Sequence, residues 1–374
     1  MPSKTTATDV KTDAAPEPLS IGPAINLAIR PLHTKLNKLV TNRLRLALPP
    51  KANSCHNYFQ GLLHIAPIYL TFESLWSDLL DAGPTTSTPS NTPDSTSTST
   101  SNGSSGLTPK GKPDSNPNLP PRIHALLTSI HIPSLQRSAP LRRDLAALTG
   151  WPADRVSRQL DEITSTAAAT AANTTGSSGG SSSSSSKGAR SGGGDQPVLT
   201  EFLTHIANAV AARPHVLVAY AWVLYMALFA GGKFIRGSLE RADAKVGEER
   251  GGGGFWTPLW GEDEDEDDEE SEGVKTEEGK GEMEDGGKQS EEPLSFFRFD
   301  TPRDGEDAKE LFKARLARAT AGDPNPNNPN NPNNPNTANV LTPAEHAEIL
   351  AESRTIFDFL VRVVGELDEI CGTE

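Results

Sequence analysis

Ala219-Tyr-Ala-Trp-Val-Leu-Tyr-Met-Ala-Leu-Phe-Ala-Gly-Gly-Lys233 is the stretch on which the fold turns. It closes a run of fifteen apolar residues, Val216 to Ala230. A membrane span needs about 20 such residues, and interfacial aromatics gather at the two ends of a span. Here Tyr220, Trp222 and Tyr225 lie along the middle, and the run stops at Gly231-Gly232-Lys233. A helix that is apolar all round is also what the centre of a helical domain looks like. The expectation is therefore a buried central helix and no integral membrane span.

Working outward, the other ordered pieces carry helical period. In 20–48, Ile25, Ile29, Leu32, Leu36 and Val40 recur every three or four residues. Pro31 predicts a kink or a fresh start there, because it lacks a helical donor. Further helices are expected over 58–80, with a bend at Pro67, and over 122–131, 133–148, 200–212, 214–241, 305–319 and 341–369. The last opens on Thr342, Pro343 and Glu345, the pattern of a capping box. No stretch alternates with period two between hairpin turns, so the fold class is all-α.

Length overstates the folded part. Residues 84–119 and 165–196 are dominated by Ser, Thr, Gly, Pro, Asn and Ala, 246–292 by Gly and acids, and 321–340 repeat Asn-Pro-Asn. Such composition buries too little apolar surface to offset the entropy of ordering. With residues 1–17 as a disordered tail, these four inserts leave 222 of 374 residues, read as one domain over 18–369. The net charge of −14 is local, since 262–292 hold 17 acids and 3 lysines while the rest balances at 32 acids and 32 bases. A neutral remainder gives no basic surface for nucleic acid, and the tract reads as a solubilising segment. Cys55 and Cys371 have no metal-ligand spacing and no disulfide framework around them. Met1 to Pro18 has no apolar core, so no secretory signal is expected, and the expected location is cytoplasmic.

Three patterns, in this order, resemble the haem oxygenase family. They are Leu32-His33-Thr34 in the first helix; the quoted Ala219–Lys233 stretch; and a closing series of Leu294-Ser-Phe-Phe-Arg-Phe299, Lys309-Glu-Leu-Phe-Lys-Ala-Arg315 and Leu341-Thr-Pro-Ala344. Weaker echoes lie at Ile68-Tyr69 through Glu73 and over Leu141–Leu148. The likeness spans nearly all of the ordered residues, with the inserts between helices. It implies a haem-oxygenase-like helical domain that binds haem as both cofactor and substrate. Oxygen and electrons from an NADPH-dependent reductase would cleave the ring to biliverdin, carbon monoxide and ferrous iron. The protein would then sit in the cytoplasm or peripherally at the membrane bearing that reductase.

Residue by residue, the resemblance makes His33 the ligand to haem iron. On its own, His33 borders the apolar stripe beside Ile29, Asn37 and Val40, where an ordinary helix histidine would serve as well. Gly231 and Gly232 would each cost a helix interior about 1 kcal/mol relative to Ala. A flat ring lying against the helix accounts for that cost, as does a helix crossing or a helix end. Counting back one and two turns puts Ala227, Leu228, Leu224 and Tyr220 on the same wall. Lys309 and Lys313 share a helix face, and the resemblance has them hold the haem propionates; Phe357 would line the pocket. The family's catalytic aspartate falls at Leu228 and a neighbouring family glycine at Ala227, while Trp222 stands where a tyrosine is usual. Leucine cannot hydrogen-bond to water. Either Tyr225 or Lys233 orders the water instead, or the chain is a non-catalytic haem sensor or carrier. An unrelated helical enzyme of similar shape is the third reading, though no phosphate loop or nucleophile motif supports it.

Overall fold

A computed structural model describes residues 19–52, 54–84, 119–175, 197–250, 255–256, 259, 293–320 and 340–372. The described residues are all-α and contain no strand. In chain order the helices are α1 (Ile21–Leu46), α2 (His56–Ala82), α3 (Pro121–Ile130), α4 (Ser138–Thr149), α5 (Ala153–Thr175) and α6 (Val198–Ala212). Then come α7 (Leu217–Tyr220), α8 (Lys233–Arg250), α9 (Glu306–Thr320) and α10 (Pro343–Cys371). Between α7 and α8 the chain stays helical through two π-helical stretches, Ala221–Tyr225 and Leu228–Gly232. Residues 217–250 thus form one continuous central segment.

That segment is buried as expected: every residue from Leu217 to Tyr225 is at most 5% exposed. It is long and apolar enough to cross a membrane, but most of it is enclosed by the other helices. One hydrophobic core joins all ten helices, with Phe72, Trp76, Phe202, Tyr220 and Phe312 among its fully buried large side chains. α1 lies along α10 and also meets α9, while α2 packs on α4 and α6. Pro31 neither breaks nor restarts α1. It sits on the exposed side of the helix, where the carbonyl it leaves without a donor can be met by water.

Two buried carboxylates tie irregular backbone to the helices. Glu73 of α2 accepts from the backbone N–H of Arg137 and Ser138, at 2.7 and 3.0 Å, and so caps α4 from another helix. Asp144 of α4 accepts from the N–H groups of Ser295 and Phe296, both at 2.8 Å, which pins the short 3-10 turn Ser295–Phe297. Capping from a distance satisfies donors that a helix start leaves orphaned.

Composition misplaced some boundaries. α5 was not expected; Val156 and Leu160, four apart, pack into the core, and the helix runs on to Thr175, past the expected insert start at 165. Leu119, the last residue of the first expected insert, is fully buried. Within the expected 246–292 insert, α8 extends to Arg250 and Phe255 is 1% exposed. Trp256 meets Tyr58 edge to face at 5.4 Å, and the Leu259 N–H donates to the Leu148 carbonyl at 2.9 Å. Four aromatic or large apolar side chains within Phe255–Trp260 were outvoted by the acids around them. The greater part of the four inserts and the 1–17 tail lie outside the described residues.

Candidate functional site

A cleft of about 270 Å3, open to solvent on one side, lies between α1, the central segment, α9 and α10. That size is just below the roughly 300–1,000 Å3 usual for ligand sites. α1 contributes Asn26, Ile29 and His33, spaced by three and four so that they share a face. His33 is exposed to the cleft, makes no hydrogen bond among the described residues, and meets the Phe357 ring edge-on at 6.0 Å. Phe357 is 3% exposed and closes the cleft from α10.

The facing wall comes from the central segment as Trp222, Val223, Met226, Ala227, Phe229 and Ala230. This corrects the face expected from helical counting. Leu228 does not line the cleft; it is 6% exposed and lies against Gly232 on the other side. Tyr220 and Leu224 are likewise in the core. A π turn carries more than 3.6 residues, so each such stretch rotates the residues beyond it away from their α-helical face. The glycines separate as well. A Cβ on Gly232 would come 3.2 Å from Phe297, so this glycine serves internal packing. One on Gly231 would meet nothing within 4 Å.

Behind the wall, tyrosines hold the π-helical segment in place. Tyr69 donates to the Leu224 carbonyl at 2.9 Å, Tyr225 to Glu73 at 3.0 Å, and Tyr220 to Glu352 at 2.6 Å. Burial pushes the Glu73 carboxyl above its ordinary range, against the donors that surround it. Burial also opposes ionisation of Glu352, but the bonds from His205 and Tyr220 outweigh it and hold that carboxyl below its usual value. His205 and His215 each bond a carboxylate of α10, Glu352 at 2.8 Å and Glu348 at 2.6 Å, and so tie α6 and the start of the central segment to that helix.

The third side is α9. Its start depends on Gly305, which has φ +85° and whose Cβ would fall 2.7 Å from Phe229 and from Phe299. Lys309 bonds Glu306 at 3.1 Å, and Lys233 bonds the same carboxylate at 2.9 Å. The two cations hold Glu306 down at about 2. Lys313 has no carboxylate partner among the described residues, and its Nζ stands 6.0 Å from the Trp222 ring centre. Neither expected substitute for the missing acid faces the cleft as a free group: Tyr225 is bonded to Glu73 and Lys233 to Glu306. No carboxylate is among the described lining residues.

The cleft therefore offers one imidazole facing small side chains, apolar walls, and two lysines at the edge. That arrangement suits a flat apolar ligand with an anionic margin and an atom that takes a nitrogen donor. Of the residues expected from sequence, His33, Ala227, Lys309, Lys313 and Phe357 meet here, whereas Leu228, Gly231 and Gly232 are not among the lining residues. Asn26, Val223, Met226, Phe229 and Ala230 were missed. Asn26 was findable, since it sits seven residues before His33 on the same face; the other four depend on the π register.

No protein-family model matches the chain. Over 45 residues, 12% of the chain, the sequence is 44% identical to Heme-binding protein HMX1 of Saccharomyces cerevisiae, and the matched part is 14% of that protein.

Proposed function

We propose that the cleft binds haem with His33 as the axial ligand, and that the haem is then oxidatively degraded. The observation that carries the binding reading is one cleft lined by an unpartnered His33, the small side chains of Ala227 and Ala230, and the two lysines Lys309 and Lys313. A neutral imidazole is a good donor to haem iron. The short similarity to a heme-binding protein supports the same ligand. Bound there, haem would supply both the redox iron and the ring that oxygen and reductase electrons open to biliverdin, carbon monoxide and ferrous iron.

The chain's own contribution is positional. Ile29, Val223, Met226 and Phe357 line the cleft with apolar surface and would exclude water from a ring bound there. Lys313 is free to meet a propionate, while Lys309 must share its charge with Glu306. Ala227 and Ala230, small side chains of the central wall, would leave room beside a bound ring without offering a proton donor. Turnover on this reading is slow. A second reading, a haem carrier or sensor without degradation, is favoured by one feature: no carboxylate is found among the described lining residues.

The test is absorption spectroscopy of the protein with haem, followed in time after adding reductant and oxygen. A histidine-ligated Soret band that His33→Ala abolishes and free imidazole restores is expected, followed by slow appearance of biliverdin. An unchanged band in His33→Ala would overturn the ligand assignment. A stable band with no biliverdin would select the carrier reading.

A further inference from the structure

A second hollow, of about 240 Å3 and open to solvent, lies between α2, α4 and α5. Phe59 and Leu63 line it from α2, Leu145 and Thr149 from α4, and Val156 from α5. Trp151 closes it between α4 and α5, with the Arg155 guanidinium 4.0 Å over its ring. The Thr149 hydroxyl donates to the Leu145 carbonyl at 2.7 Å, so the interior presents apolar surface.

The chain brings an apolar strap to the edge of this hollow. Trp256 meets Tyr58, the neighbour of Phe59, edge to face at 5.4 Å. Three residues on, the Leu259 N–H donates to the Leu148 carbonyl at 2.9 Å. That carbonyl is one that a helix end leaves without a partner, and its residue directly precedes Thr149 on α4. Leu259 is itself half-buried against the core. The strap thus touches residues adjoining the hollow on α2 and on α4. Trp260, the next residue, lies outside the described residues, but its Cα must fall about 3.8 Å from that of Leu259. It is the only aromatic residue in 260–292, and Gly261 and a run of acids follow it. Carboxylates are costly to bury in apolar surroundings, so the run of acids beyond Trp260 offers no rival occupant.

We propose that the hollow is the seat of the Trp260 indole, completing a strap from Phe255 to Trp260 across α2 and α4. This inference is independent of what the His33 cleft binds. An indole suits the seat, since its large apolar body can be covered while its N–H stays at the wet mouth. The Tyr58 hydroxyl donates to the Pro293 carbonyl at 3.2 Å, so the acidic tract leaves from the seated tryptophan and returns beside the residue that Trp256 covers. Phe255, Trp256 and Leu259 hold the rest of the strap, so losing Trp260 empties the hollow without unfolding the chain.

Full-length protein carrying 5-fluorotryptophan gives five fluorine resonances, one per tryptophan, and Trp260→Phe identifies the relevant one. In the unaltered protein that signal should resist broadening by a soluble gadolinium chelate. Leu63→Phe, which fills the hollow, should expel the indole and make the same signal broaden several-fold more. Trp260→Ala should raise binding of the apolar dye ANS several-fold, and adding Leu63→Phe should abolish the gain. Should Leu63→Phe fail to fold, the dye decides, and no gain with Trp260→Ala overturns the proposal. A Trp260 signal exposed to the chelate in the unaltered protein overturns it too; dye already bound there would assign the hollow to an external apolar ligand. Shielding that Leu63→Phe leaves unchanged would put the indole elsewhere. Shielding lost on dilution, as sedimentation shows a dimer dissociating, would put it in a second copy of the chain and overturn the strap.

Discussion

At the scale of single residues, the position that counting assigns to the missing acid is the wrong place to restore one. Leu228 is 6% exposed and faces Gly232 and the Phe297 side. A carboxylate there would be stranded, with its pKa raised by burial, and Leu228→Asp should destabilise by about 3 kcal/mol. Ala227 faces the cleft and is exposed. Ala227→Asp should cost only about 0.5 kcal/mol of helix propensity and raise the biliverdin yield several-fold. Chemical denaturation and single-turnover absorbance on both variants check this. A stable, more productive Leu228→Asp would mean that the wall turns in solution. His33, Lys309, Lys313 and Phe357 were named by the family resemblance and not by period alone; each lies on an ordinary α-helix, so its neighbours on the same face could be counted from the sequence. Leu228 and Gly232 were misplaced, because no residue pattern announces a π turn.

At the scale of elements, the start of α10 shows the opposite case, a local rule written in the sequence and kept. The Glu345 N–H donates to Thr342 Oγ1 at 3.2 Å, and the Thr342 N–H to Glu345 Oε2 at 2.8 Å. What sequence left out is the third party: Arg122 of α3 forks onto both Glu345 oxygens, at 2.6 and 2.7 Å. Burial opposes ionisation of Glu345, but the Arg122 and Thr342 bonds outweigh it and hold the carboxyl at about 2 instead of 4.5. Its folded pKa is lowered, so its contribution to stability is complete above about pH 4.5 and fades as pH falls through about 2. Thr342→Ala should cost about 1 kcal/mol at neutral pH. Glu345→Gln should lower the thermal midpoint at pH 7, and by less at pH 3, where the unaltered carboxylate is losing its advantage. An equal loss at both pH values would show that the ion pair with Arg122 contributes nothing. α5 was missed for a related reason: its apolar positions are few, and its helical run passes into a Thr- and Ala-rich stretch that composition assigns to linker.

At the scale of the whole molecule, composition located the acidic tract but drew its edges too wide. Replacing 261–292 by a short Gly/Ser loop should leave the midpoint and ligand affinity nearly unchanged, since loop closure costs only about 0.6 kcal/mol per doubling. Replacing 246–292 also removes Phe255 and Trp256, and losing one buried aromatic costs about 3–5 kcal/mol. Thermal melts of the two replacements should differ by several degrees; equal melts would mean that the Phe255–Trp256 contacts with the core are expendable. The net charge of −14 moves with the tract, so the shorter protein should run close to neutral on isoelectric focusing. Leu259, held by the Leu148 carbonyl, and Pro293, whose carbonyl accepts from Tyr58 at 3.2 Å, tether the chain to the core on either side of that tract. In topological terms the molecule is two polypeptides stitched together at one point. The first carries α1 with His33 and the central wall; the second carries both lysines and Phe357. Each contributes part of the cleft's lining, and what joins the halves is the packing of α9 on α1 and α3 and of α10 on α1, α2, α6 and α7, not the peptide bond between them.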